Sequence, residues 1–288
     1  MRLVSFDLDG TLYDDLLYSS AYACALALRL PARKRDRFLR DAFAGSPINR
    51  HLRLGRIYDR ETDTLLGHPL LEPGLASSWD GEQRRSWQPV QAGGHVGAAG
   101  RYLALGDAWT LVTAAGMRCG ASPEDCVEAL AEVRSRVAVP PARSCSGHPF
   151  FRQGAPFLRV LVTNASEPHA RVMLRHLDLE DAFAHTLTDA GKPGAWREII
   201  TRLERGAGIP RAAMVAVGDN LLNDVLPVVE QGVRAVLVDR HGWFARFRCA
   251  TWIRCRSLEE ALETLSRFRP PHPAGLPGPG RVGSPVRP

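Results

Sequence analysis

Phe6-Asp7-Leu8-Asp9-Gly10-Thr11-Leu12-Tyr13 overlaps and follows the apolar run RLVSF at residues 2–6 and turns it into an acidic, glycine-containing loop. Such a run reads as a short buried strand that delivers a loop. Strand alternation points Asp7 and Asp9 the same way, roughly 6–7 Å apart, so two carboxylates can flank one reacting group. That suits one nucleophile and one acid/base. Gly10 permits a sharp departure from the strand, and the Thr11 hydroxyl can orient a carboxylate or cap the next element. The structural alternative is a solvated acidic turn with Asp9-Gly10 as ordinary turn formers.

After a gap of about 150 residues the same kind of strand returns, at 158–162 (LRVLV), more weakly near 184–188 (AHTLT), at 213–217 (AMVAV) and at 233–238 (VRAVLV). Helical patterns at 168–177, 194–206 and 222–231 lie between them, with Pro193 where a first turn tolerates it and Gly232 where a helix stops. Strands alternating with helices predict an α/β fold, a Rossmann-like parallel sheet with crossover helices. Residues 15–155 break that rhythm. Helical stretches near 15–30, 33–44 and 122–136 surround a Gly/Trp/Gln-rich middle at about 72–105 that supports no assignment. The expected division is a core from 1–14 and 156–268, a separate, mainly helical insertion at 15–155, and a disordered Pro/Gly-rich tail at 269–288.

Composition bounds the function classes. With 45% hydrophobic and 24% charged residues the 288-residue chain is an ordinary globular one. No apolar run approaches the ~20 residues of a membrane helix, and no signal-peptide h-region precedes the first polar cluster, so a cytoplasmic protein with no membrane partner is expected. The net charge of +6 comes from scattered arginines without a dense basic run, which argues against a nucleic-acid partner. Six cysteines lack zinc-site spacing and read as reduced, mostly buried thiols. Only Lys34 and Lys192 are lysines among the 37 basic residues, so a lysine with a task stands out.

Three further stretches carry chemistry. Val217-Gly218-Asp219-Asn220-Leu221-Leu222-Asn223-Asp224 follows an apolar strand, and a parallel sheet would bring Asp219 and Asp224 to the same rim as Asp7 and Asp9. Four gathered carboxylates call for a cation, and oxygen-only ligation without histidine or cysteine suits magnesium. Alternatively, Asp219-Asn220 is a turn and Asp224 a helix-start acid. Thr163-Asn164 offers a hydroxyl and an amide to phosphate oxygens, although Thr-Asn also opens ordinary loops. Gly191-Lys192-Pro193 places a lysine before a helix, where a cation is unfavourable for the helix itself and a phosphoryl group beside Asp7 would favour it. His169 and His176, on the helix after Thr163, read as surface or packing residues.

In this order the four stretches resemble the motifs of the haloacid dehalogenase (HAD) superfamily: DxDGT, a strand-ending Thr, an isolated Lys before a helix, and GDxxxxD. The likeness covers residues 1–14 and about 157–240, and the insertion resembles the helical cap of subfamily I. The resemblance implies a magnesium-dependent phosphohydrolase of a small phosphorylated metabolite. Asp7 attacks phosphorus to give an aspartyl-phosphate, and Asp9, held protonated by its surroundings, protonates the leaving oxygen and later activates water. Magnesium is held by Asp7, the backbone carbonyl of Asp9 and Asp219, with Asp224 direct or through water; Thr11, Thr163, Asn164 and Lys192 serve the transferring group. At ~3 Å and an effective dielectric near 20, a carboxylate and a phosphate dianion repel by roughly 11 kcal/mol, hence the cation and Lys192.

The same scaffold admits rivals. A carbon–halogen hydrolase needs the first Asp but neither a metal nor Asp9. A phosphomutase keeps all four motifs. A phosphonate hydrolase wants a cap lysine, for which only Lys34 is available. A catalytically silent binding protein would have lost a central residue, and none is lost here.

Overall fold

In the computed structural model, which describes residues 1–43, 53–83, 100–136, 146–152, 154–155, 157–247 and 250–268, the run Leu3–Phe6 forms β1 with every residue buried. Central strands of a parallel sheet are covered on both faces, which is why β1 reads as continuous rather than alternating apolar sequence. Around it assembles a six-stranded sheet in the order β10-β9-β8-β1-β6-β7. Its other strands are β6 (Leu158–Val162), β7 (His185–Leu187), β8 (Met214–Gly218), β9 (Arg234–Val238) and β10 (Trp252–Cys255). All pairings are parallel, with Phe6 opposite both Leu161 and Val217. The chain winds from β1 in both directions, so a crevice opens beyond the carboxyl ends of β1, β6 and β8. The α/β, Rossmann-like parallel sheet expected from the strand–helix alternation is therefore the fold.

Helices α5 (Glu167–His176) and α6 (Trp196–Ala207) connect these strands close to their expected limits, α7 (Leu226–Glu230) takes only the second half of the expected 222–231, and Gly208 ends α6 in the left-handed conformation a stop requires. Asn220 to Val225 depart from expectation: a π-turn at Leu221–Val225 precedes α7. The sheet also extends one strand further than the sequence pattern suggested, to β10, followed by α8 (Leu258–Ser266).

The insertion holds the three helices expected, α1 (Leu16–Arg29), α2 (Ala32–Phe43) and α4 (Pro123–Arg136), and a fourth, α3 (Ala108–Arg118). α1 packs against α2, α3 and α4. A four-stranded antiparallel sheet, β4-β3-β2-β5, was not foreseen. It comprises β2 (Arg56–Asp59), β3 (Thr64–Gly67), β4 (Ala76–Ser77) and β5 (Tyr102–Leu105); β4 and β5 lie in the described part of the unassigned middle, and β2 and β3 precede it. The tail expected to be disordered, 269–288, lies outside the described residues. Cys24, Cys119, Cys126 and Cys255 are unpaired and all but Cys24 are buried; no described helix is long and apolar enough to cross a membrane.

Candidate active site

Parallel pairing carries the strand ends to one place. Asp7 follows β1 and donates its backbone N–H to Val217 on β8 at 2.9 Å, so the loops after the two strands lie side by side. Gly10 (φ +75°) lets the first loop turn under the second; a Cβ there would stand 2.2 Å from Asp219 Oδ2. A Cβ on Gly218 would likewise stand 2.2 Å from the Asp224 Cβ, so the glycine is what lets Asp224 fold back over its own strand. Within the π-turn, Asn220 accepts from the N–H groups of Leu222 and Asn223, and its own N–H donates to Asp224 Oδ2 at 3.2 Å. π-turns concentrate at functional sites because the extra residue re-aims side chains.

The result is a group of three carboxylates. Oxygens of Asp7, Asp219 and Asp224 lie within 4.8 Å of one another. Lys192 Nζ, in a side chain 3% exposed, donates to Asp7 Oδ1 and Asp224 Oδ1, each at 2.6 Å. Thr11, expected to contact substrate, instead is fully buried: its hydroxyl sits 3.3 Å from Asp7 Oδ2 and 3.2 Å from Asp219 Oδ1, and orients the carboxylates. Asn164 and the Lys192 backbone exchange hydrogen bonds, Nδ2 to the carbonyl at 2.9 Å and N–H to Oδ1 at 2.8 Å. The amide thus positions the lysine and keeps one N–H for the cavity. Thr163 Oγ1 accepts from the Ala165 N–H at 3.0 Å, which leaves its proton free to donate.

Asp9 stands apart from that group. Its Oδ1 accepts from the Tyr13 hydroxyl and lies 3.2 Å from His169 Nε2. His169 is therefore a site residue, against the expectation of a packing role; its position on the helix after Thr163 was the available signal. Burial pushes the Asp9 carboxyl up, but the His169 hydrogen bond and charge, with the Tyr13 hydroxyl, bring it below the usual range. The expected protonated Asp9 is not what these neighbours favour.

The other carboxyls move the opposite way. Burial, only partly offset by Lys192 and reinforced by Asp224 and Asp9, raises Asp7 to about 7. Asp219 is pushed well above the carboxylate range by burial and by Asp15, Asp7, Asp224 and Asp107. Lys192 stays firmly charged: burial opposes it, but Asp224 and Asp7 outweigh burial. Buried acids that raise one another are short of positive charge. A divalent cation fits that deficit, and the all-oxygen donor set fits a hard one.

The insertion contributes the opposite wall. Asp15, at the start of α1, accepts from the Trp109 indole and is raised to about 8 by burial. Asp107 caps α3 and accepts from Asn220 Nδ2 at 2.6 Å, a direct bond between insertion and core. Neither was read from the sequence. With Leu130 and Arg134 of α4, they and the strand-end residues enclose a cavity of about 210 Å³. A larger open groove, about 910 Å³, runs along α6, but it holds none of these residues and is not where the chemistry lies.

The fold and the acid-lined strand ends define a hydrolase scaffold. The profile of the haloacid dehalogenase-like hydrolases matches residues 1–228, and the chain belongs to that family. No curated protein sequence matches it. Among solved structures it is similar to a haloacid dehalogenase-like family hydrolase of Xanthomonas campestris, at 15% identity over 92% of this chain and 91% of that one, TM-score 0.47. The L-2-haloacid dehalogenase of Xanthobacter autotrophicus gives 14% over 93% and 100%, TM-score 0.47. A HAD phosphatase of Thermococcus onnurineus gives 19% over 92% and 98%, TM-score 0.43.

Proposed function

We propose that the chain is a magnesium-dependent phosphohydrolase of a small phosphorylated metabolite that works through an aspartyl-phosphate on Asp7. The observation that carries this reading is the convergence of Asp7, Asp219 and Asp224 within 4.8 Å. Hydrolysis of a carbon–halogen bond needs one carboxylate nucleophile, and further acids beside it would only raise its pKa. Residues 1–14 and 156–268 act here as the core, and 15–155 as the cap.

In this reading Lys192 and Thr11 fix the Asp7 carboxylate so that one oxygen faces phosphorus. Asp7, Asp219 and the Asp9 carbonyl, with Asp224 directly or through water, would hold magnesium, which would supply the positive charge that lets nucleophile and phosphoryl group meet. Thr163, the remaining Asn164 N–H and Lys192 receive the phosphoryl oxygens. The arriving dianion raises Asp9, because a near like charge favours the neutral acid. Asp9 then gives its proton to the leaving oxygen and, as carboxylate, takes one from the water that attacks the aspartyl-phosphate. Asp107 and Asn220 hold the cap against the core while water is excluded.

The test is hydrolysis of an aryl phosphate and of 2-chloropropionate, each with magnesium and with EDTA. Magnesium-dependent release of phosphate is expected. Halide release without phosphate release would overturn the proposal.

A further inference from the structure

Several arginines in the insertion have acidic partners. Arg53 reaches Asp41, Arg56 reaches Glu72, Arg101 reaches Asp59, and Arg118 reaches both Asp41 and Asp63. Arg134 differs from these: half-buried in the last turn of α4, it has no hydrogen bond or ion pair among the described residues. A cation in a last turn complements the helix dipole. Arg136 does that from the surface, 76% exposed and bonded to Glu132 at 2.7 Å. Arg134 instead lines the catalytic cavity with Leu130, one turn earlier on the same face.

Lys192 and Arg134 are the two cations among the described lining residues; every other ionisable group there is an aspartate. Lys192 is engaged by Asp7 and Asp224. Arg134 keeps its donors free, in the planar fork that matches a carboxylate or phosphate with two parallel bonds. Its charge also reaches the centre of the site, where it helps hold the Asp9 carboxyl down.

We propose that Arg134 is a specificity-determining residue that receives a second anionic group, a carboxylate or a further phosphate, on a phosphate monoester whose transferring phosphoryl group lies at Asp7. The proposal rests on the phosphohydrolase reading. Leu130 then covers the carbon frame between the two anions, and a cavity of about 210 Å³ suits a small metabolite. Monoesters without a second anion leave the half-buried guanidinium unpaired, which is the basis of discrimination.

The experiment measures kcat/KM of the full chain with magnesium on an aryl phosphate and on two matched pairs: phosphoglycerate against glycerol phosphate, and a hexose bisphosphate against the hexose monophosphate. The parent should prefer the doubly anionic member of at least one pair by tenfold or more, and which pair does so identifies carboxylate or phosphate. Arg134→Gln should cut that preference roughly tenfold to a hundredfold, mainly through KM, as loss of a charge-assisted bidentate contact implies. Arg134→Lys, which keeps the charge without the fork, should recover part of it. An equal loss on both members of each pair would mean that Arg134 only balances charge or caps its helix, and would overturn the proposal. A parent that hydrolyses the aryl phosphate yet prefers neither doubly anionic substrate overturns it while the phosphohydrolase reading stands. A parent that hydrolyses no monoester overturns both.

Discussion

Replacing Lys192 by arginine keeps the charge and changes the shape, in a chain where arginine fills nearly every other basic position. Nζ sits 2.6 Å from an oxygen of Asp7 and 2.6 Å from one of Asp224, in a side chain 3% exposed. A guanidinium brings two more heavy atoms and a fixed plane into that space. Overpacking of this kind costs ~1–3 kcal/mol of stability. Displacing a preorganised contact to the reacting group costs roughly 2.7–4 kcal/mol of barrier, about a hundredfold to a thousandfold in kcat. Lys192→Met separates the two effects: it removes the cation from two buried carboxylates, and breaking such a pair costs about 3–5 kcal/mol. The arginine variant should therefore fold with a modest loss of stability and turn over poorly, and the methionine variant should melt lower still. Lys34→Arg is the control, because Lys34 lies on α2 and does not line the cavity. The assays are aryl phosphate turnover with magnesium and urea unfolding. A folded Lys192→Arg protein within threefold of the parent kcat would refute the reasoning.

Asp7→Asn should abolish turnover with the fold intact, since an amide cannot attack phosphorus; activity above a hundredth of the parent's would count against Asp7 as nucleophile. EDTA should remove activity, and adding magnesium to the stripped protein should raise its melting temperature, because a ligand that binds only the folded state stabilises it; an unchanged melting curve would contradict a metal at the carboxylate group. Gly218→Ala should cost at least tenfold in kcat, as the new Cβ would meet the Asp224 Cβ at 2.2 Å and push that carboxylate off Lys192; a parental rate would show that the position of Asp224 does not matter.

The core was legible because each of its signals is local. β1, β6 and β8 are apolar runs that break into polar turns, and the parallel-sheet rule then brings Asp7, Thr163 and Asp219 to one rim without further information. The insertion lacks such signals. β2 has both faces buried and spans four residues, so Arg56-Ile57-Tyr58-Asp59 shows no period of two. Its polar residues are satisfied across the fold instead, Asp59 by Arg101 and Arg56 by Glu72. β10 was missed for a related reason: Trp252-Ile253-Arg254-Cys255 is short and interrupted by a charge that pairs with Asp239.

The same distinction divides the site itself. Residues that act on phosphorus in the proposed mechanism sit at strand ends and announce themselves in sequence, whereas those that tune them arrive from far along the chain: His169 on Asp9 across 160 residues, Asp107 on Asn220 across 113. A hydrogen bond of that separation has no sequence pattern, because it depends on how two elements pack rather than on the spacing within either. Asp9 shows the consequence. With Asp7 beside it in sequence, Asp9 reads as a carboxylate next to another carboxylate, which favours the protonated acid; in the fold His169, with the nearby Tyr13 hydroxyl, favours the charge. In the proposed mechanism the motifs therefore reveal which chemistry the core performs, while the proton inventory of Asp9 also rests on His169, outside them, and the choice of substrate on Arg134 with Leu130.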